Sequence, residues 1–143
     1  MTVCQFCQIT NHTVKAQIIY ESQLALAFLD HRPVSKGHSL VISKRHFENL
    51  YDVELDYLYE VFRVAKLVSD ALNKLYNPYG INLIQNNGLN AGQTVFHFHV
   101  HVIPRYDSEY LRYLGEVAMK RVVVEDSLLE VNATEIRSVM KGL

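Results

Sequence analysis

Residues 94–104 read TVFHFHVHVIP, a mostly apolar run in which His97, His99 and His101 occupy every second position. Period two is the signature of a β-strand, because successive side chains there leave by opposite faces. The run therefore demands a sheet with one apolar face and imidazoles on the other. A buried imidazole without a partner is expensive, so a purely structural role would require three separate partners along one strand. A chemical surface is the simpler expectation. At about 3.3 Å per residue, His97 and His99 stand about 6.6 Å apart and His97 and His101 about 13 Å. One tetrahedral zinc, with nitrogen ligands at about 2.0–2.1 Å, takes two neighbouring rings but not the outer two of a regular strand. The row should divide its labour.

The rest of the chain supplies the sheet and its cover. AQIIYES (16–22) and LALAFLD (24–30) read as a hairpin, and HSLVIS (38–43) as a third strand. The intervening HRPVSKGH holds Pro33 and Gly37 and reads as a loop delivering His38 to that strand. From Val53 to Tyr76, Leu58, Val61, Phe62, Ala65, Val68, Leu72 and Leu75 recur at helical spacing until Asn77 and Pro78 end the pattern. INLIQ (81–85) reads as a fourth strand and 94–104 as a fifth, joined by the irregular turn NNGLNAGQ. Beyond Pro104 the pattern weakens. EYLRYLGEVAMKR (109–121) reads as a short helix, VVVEDSLLEV is ambiguous, and NATEIRSVMKG starts with a capping box of Asn132 and Glu135. The fold class is α+β, in one domain of 143 residues with no repeat or linker.

Composition narrows the partners. Fifteen acidic residues against 14 basic ones leave a net charge of −1, without the positive field that nucleic acid or an anionic membrane requires. The opening stretch MTVCQFCQITNHTV has no basic start followed by a signal-length apolar segment, and no run reaches transmembrane length. A cytoplasmic protein with no nucleic-acid or membrane partner is expected. In that reducing setting Cys4 and Cys7 of CQFC offer half a tetrahedral zinc shell. The rival is a dithiol redox pair, which normally follows a strand and opens a longer helix. CQFC instead precedes every strand, and histidines are the obvious source of two further ligands.

AGQTVFHFHVHVIPR resembles the signature of the histidine triad (HIT) family, His-x-His-x-His followed by two apolar residues. LAFLD, PVSKGHSLVI and NNGLNAGQTVFHFHVH follow in the order and spacing of its bacterial nucleotide-binding members, and CQFC with KRHFENL resembles its zinc-bearing branch. The likeness spans residues 4–106. It implies a HIT domain over residues 1–106, with residues 107–143 an extension packed on the same domain. It also implies a five-stranded antiparallel sheet with one long helix and short flanking helices, dimerising into a continuous sheet.

Residue by residue, the resemblance gives Cys4, Cys7, His46 and His97 as ligands of a structural zinc, although His46 alone would pass for an exposed loop histidine. His99 corresponds to the nucleophile, its Nδ1 proton held by the His97 carbonyl so that Nε2 faces phosphorus. A neutral imidazole suits that task, because a phosphoramidate intermediate splits one hard displacement into two. His38 and His101 correspond to residues bracketing the α-phosphate. Thr94 matches a hydroxyl beside the leaving group, and Gln93 and Asn86 match polar neighbours of the phosphate. Asp30 aligns with the acid that binds the ribose hydroxyls, though by itself it reads as a turn former. Phe6, Ile9 and Phe28 match apolar positions around a purine base, though each would also pass for core. His31 departs from the aliphatic residue usual there and offers stacking or a hydrogen bond to the base.

The resulting expectation is an enzyme that cleaves purine nucleoside 5′-phosphoramidates or related nucleotides at the α-phosphorus through a nucleotidyl-histidine, with no catalytic metal or organic cofactor. Three alternatives stand beside it: a dinucleoside polyphosphate hydrolase, a nucleotide-sensing adaptor with incidental hydrolysis, and a metallohydrolase using the histidine row as a catalytic metal centre.

Overall fold

The structure, a computed structural model, describes residues 3–108 and 121–143. Among these, β1 (Ile18–Glu21), β2 (Ala25–Leu29), β3 (Ser39–Ser43), β4 (Gly80–Ile84) and β5 (His99–Arg105) form one antiparallel sheet in the order β1-β2-β3-β5-β4. Three helices accompany it: α1 (Gln5–Thr10), α2 (Leu55–Tyr76) and α3 (Asp126–Met140). This is the α+β, five-stranded antiparallel architecture expected from the sequence.

Strand alternation sorts the core into two clusters. On one face Ala25, Ala27, Leu29, Val41, Val100 and Val102 meet Val61, Val64, Ala65, Val68, Ala71 and Leu72 of α2. The small alanines of β2 let α2 lie close to the sheet. Helix α2 ends where Asn77 adopts the left-handed conformation, with φ of 46°, just before Pro78. Helix α3 joins the same cluster through Leu129, Ala133 and Ile136. It is tied to β1 by Arg137, which donates to the Ile18 carbonyl at 2.5 Å, and to α2 by the Tyr76 hydroxyl, which donates to Glu135 at 3.0 Å. On the other face Leu26, Phe28, Leu40 and Ile42 pack, among the described residues, against Phe6 and Ile9 of the short α1, with Cys4, Ala16, Ile18 and Val95 at the margin. His99 and His101 stand on that sparsely covered face, opposite Ile42 and Leu40.

Two expectations are corrected. The ladder of β5 starts at His99 rather than Thr94, because the Phe98 N–H donates instead to the Phe47 carbonyl and Gln93 braces the preceding loop. Helix α3 starts at Asp126 rather than Asn132, which is buried within it, and Glu135 receives the Tyr76 hydroxyl instead of closing a capping box. The helix expected over residues 109–121 lies outside the described residues apart from Arg121, which is not helical.

The loop from residue 31 to residue 38 turns at Gly37, whose φ is +89° and whose missing Cβ would stand 2.7 Å from Cδ2 of the buried Leu72. Both the conformation and the space exclude a side chain. Gly37→Ala should therefore lower folding stability by about 2 kcal/mol or more. Equilibrium urea unfolding checks this, and a loss under about 0.5 kcal/mol would contradict the packing described.

Candidate functional site

Two clusters of chemistry meet at the start of β5. In the first, Cys4, Cys7, His46 and His97 place their ligand atoms within 4.8 Å of one another. Cys4 Sγ lies 3.4 Å from His97 Nδ1, Cys7 Sγ 3.4 Å from His46 Nδ1, and Cys7 Sγ 3.6 Å from His97 Nδ1. A tetrahedral zinc with sulfur at about 2.3 Å and nitrogen at about 2.0–2.1 Å separates such ligand atoms by about 3.5 Å. The donor set fits that ion. The His97 Nε2–H donates to the Ser43 carbonyl at 2.6 Å, which fixes the tautomer and turns the Nδ1 lone pair toward the thiols. In the absence of a cation, burial and then the neighbouring Cys4 push the Cys7 thiol up to about 11. A bound cation reverses that preference, because it favours thiolate. Cys4 caps α1 and Cys7 lies within it, so the pair opens only a six-residue helix.

The second cluster is a hydrogen-bonded row. His99 Nδ1–H donates to the His97 carbonyl at 2.6 Å, which leaves Nε2 with its lone pair. The Val34 N–H donates to His38 Nδ1 at 2.9 Å, so the His38 proton sits on Nε2 and is given to His101 Nδ1, also at 2.9 Å. His101 accordingly carries its own proton on Nε2. The two rings nearest the cavity thus present opposite characters, an acceptor on His99 and a donor on His101. Burial lowers the pKa of all three, His38 to about 4 and His101 further, so the row is neutral near pH 7.

A cavity of about 430 Å³ opens onto this row. Of the expected residues, Phe6, Ile9, Phe28, Asp30, His31, Thr94, His99 and His101 line it. The Phe6 ring stands edge-on to both His99 and His97, with centroids 5.2 and 5.8 Å away. The helix that carries Cys7 therefore also forms part of the cavity wall.

Three expected residues do not line the cavity. His38 is fully buried behind His101 and reaches the cavity only through it. Gln93 accepts from the Gly88 N–H and donates to the Glu48 and Val95 carbonyls, so its amide is spent on bracing loops. Asn86 donates to the Gly92 carbonyl within the same turn.

Asp30 is buried. Its Oδ1 accepts the Arg32 N–H at 2.9 Å and its Oδ2 accepts Arg121 Nη1 at 2.5 Å. Burial works to raise its pKa, but His38, the Arg32 N–H and Arg121 outweigh burial and hold it below the usual carboxylate range. With His38 neutral at pH 7, the Arg32 N–H and Arg121 carry the effect there. Asp30, His38 and His101 also lie within 4.8 Å of one another. A cation among them would have to break the His38–His101 hydrogen bond and displace a guanidinium, so the row is not built as a catalytic metal centre. Sequence reasoning missed Arg121 and Ser43. Neither belongs to a spaced motif, and each acts through a contact that only folding creates.

Residues 11–108 match the family model described as HIT domain. The protein named hit of Bacillus subtilis is 42% identical over 103 residues, 72% of this chain and 71% of that protein. The adenosine 5′-monophosphoramidase of Schizosaccharomyces pombe is 37% identical over 107 residues, 75% of this chain and 77% of that protein. Among solved structures, a hypothetical histidine triad nucleotide-binding protein from Sulfolobus tokodaii has a TM-score of 0.85 at 36% identity, covering 98% of this chain and 93% of that one. A zinc-bound histidine triad family protein from Mycobacterium smegmatis has a TM-score of 0.82 at 30% identity, covering 97% and 94%.

The protonation states are open to measurement. An imidazole whose folded pKa is depressed stays neutral as pH falls through its usual range near 6.5. The ring C–H resonances of His38 and His101 should accordingly keep their neutral positions from pH 8 to about pH 5 in NMR titrations. Titration of either ring near 6.5 would refute the buried relay.

Proposed function

The chain belongs to the histidine triad (HIT) family, and from that membership and the geometry around His99 we propose that it is a nucleotidyl hydrolase or transferase acting at the α-phosphorus of purine nucleoside 5′-phosphoramidates. The observation that carries the reading is the tautomer of His99, tied by Nδ1 to the His97 carbonyl with Nε2 left as a base on the cavity. The named activity of the fission-yeast relative, an adenosine 5′-monophosphoramidase, supports the substrate class.

In this reading His99 Nε2 bonds to the α-phosphorus as the P–N bond of the substrate breaks, and the amine departs with a proton that the Thr94 hydroxyl donates and regains from solvent. Water then attacks the same phosphorus, the P–Nε2 bond breaks, and the nucleoside monophosphate leaves. The His101 Nε2–H donates to a non-bridging phosphate oxygen where negative charge builds. His38 acts behind it by fixing that proton. Asp30 accepts the ribose hydroxyls, and the base lies among Phe6, Ile9 and Phe28 with His31 at the rim.

Cys4, Cys7, His46 and His97 hold a structural zinc in this reading, supported by the donor distances and by the zinc-bound relative. When bound, it supplies cross-linking rather than Lewis-acid chemistry at the substrate. The protein acts as a cytoplasmic homodimer whose sheets join. The open edge of the sheet at β4, where Gly80 and Leu83 are exposed, supports that seam. No helix among the described residues is long and apolar enough to cross a membrane.

Intact mass spectrometry during turnover should find one nucleoside monophosphate added to the natural chain and none added to His99→Ala. Turnover by that variant should fall by roughly a thousandfold or more. An unlabelled wild-type chain that still hydrolyses substrate would overturn the covalent mechanism. Chelation, or Cys7→Ser, should lower the melting temperature by roughly 10 °C, whereas His99→Ala should keep one zinc per chain. Elemental analysis and calorimetry read both, and zinc loss without a change in melting would contradict the structural role.

A further inference from the structure

Arg121 enters the same cavity as His99 and His101 from the C-terminal segment, beyond every motif in the sequence. Its Nη1 donates both to Asp30 Oδ2 at 2.5 Å and to the Arg32 carbonyl at 3.1 Å, and the next residue, Val122, donates its N–H to the Pro33 carbonyl at 3.2 Å. These contacts fasten the segment along the loop that follows β2. The Asp30 side chain is only 3% exposed, while that of Arg121 is 37% exposed. Arg32 lines the cavity as well, but the hydrogen bonds to the carboxylate come from the Arg32 N–H and from Arg121 Nη1. A backbone N–H and a guanidinium thus hold the Asp30 carboxylate in its buried place, with His38 Nε2 3.7 Å from Oδ2.

A carboxylate offers about four lone-pair positions, two on each oxygen. Here Arg32 and Arg121 take one on each oxygen, which orients the group and leaves one per oxygen for a substrate. Two acceptors a carboxylate's width apart match two vicinal hydroxyls. We propose that Arg121 is a positioning residue that orients Asp30 as an acceptor for an intact 2′,3′-diol, making the C-terminal segment a determinant of ribose specificity. The proposal rests on the nucleotide reading above and adds to it a residue that acts on the sugar and not on phosphorus.

The test compares the full chain with Arg121→Ala, Arg121→Gln and Arg121→Lys. Two measurements are made: turnover of adenosine 5′-phosphoramidate and its 2′,3′-dideoxy analogue, and calorimetric binding of adenosine 5′-monophosphate and its dideoxy counterpart. Wild type should prefer the ribose form in both. Arg121→Ala and Arg121→Gln should lose about tenfold in kcat/KM on the ribose substrate, mainly through KM, and stay within about twofold on the dideoxy substrate. The preference collapses as a result. Arg121→Lys should retain most of it, since the charge remains. Equal losses on both sugars would assign Arg121 to phosphate or to folding, and tighter ribose binding on its removal would make it a gate. Either result, or an unchanged preference, overturns the proposal while turnover by wild type leaves the nucleotide reading standing. If wild type neither turns over nor binds any of the four compounds, the nucleotide reading itself fails and the proposal with it. Binding and turnover of folded Arg121→Gln and Arg121→Lys keep the comparison decisive should Arg121→Ala fold poorly.

Discussion

One peptide unit holds the site together. The carbonyl of His97 accepts the Nδ1 proton of His99, while the side chain of the same residue turns away to Cys4, Cys7 and His46. Both are possible only because residue 97 stands just outside the β5 ladder. Inside a regular strand its carbonyl would be aimed at a neighbouring strand and its ring would share a face with His99. The break at Phe98, whose N–H goes to Phe47, releases that carbonyl for a side chain two residues on. A single departure from regular pairing therefore selects the nitrogen that His99 presents and removes His97 from the row.

The uneven cover of the sheet then decides where the cavity lies. Helices α2 and α3 seal one face with a continuous apolar cluster. The other, among the described residues, has α1 as its one α-helix, and six residues make a helix too short to persist through its own hydrogen bonds. What holds α1 is tertiary: Phe6 and Ile9 against Phe28 and Leu40, and the two cysteines against His46 and His97. The fastening of α1 and the shape of the cavity wall are consequently one problem, because Phe6 packs edge-on against both His97 and His99.

The elements that could be read from the sequence are those whose signal repeats. Short apolar runs between turn residues marked β2 and β3, period two marked β5, helical spacing marked α2, and CQFC beside a histidine row pointed to a metal shell. Single-contact features left no such trace. Helix α1 is too short for periodicity to register. The start of α3 is obscured by Val122, Val123 and Val124, a β-branched run that suits strand as well as coil. The apolar alternation over residues 94–98 mimics strand, yet Gln93 and Phe98 find partners off the ladder. At the site, Asp30, Thr94, His99 and His101 came from motif positions that do line the cavity, whereas Gln93 and His38 kept the right neighbourhood but faced elsewhere. Arg121 is separated from Asp30 by 91 positions, and no local pattern links them.

The charge arrangement follows from the same geometry. The nucleotide proposed as substrate is anionic and would approach a buried carboxylate, and an uncompensated Asp30 would repel it through a poorly solvated cavity. Protonating His38 or His101 would cancel that charge. It would also destroy the relay, since a doubly protonated His38 has no lone pair for the Val34 N–H, and a protonated His101 cannot accept from His38. Arg121 resolves the conflict by compensating Asp30 from outside the row. The imidazoles are then free to remain neutral, which keeps the His99 Nε2 lone pair and the single His101 Nε2 proton available to the cavity, as the proposed mechanism needs.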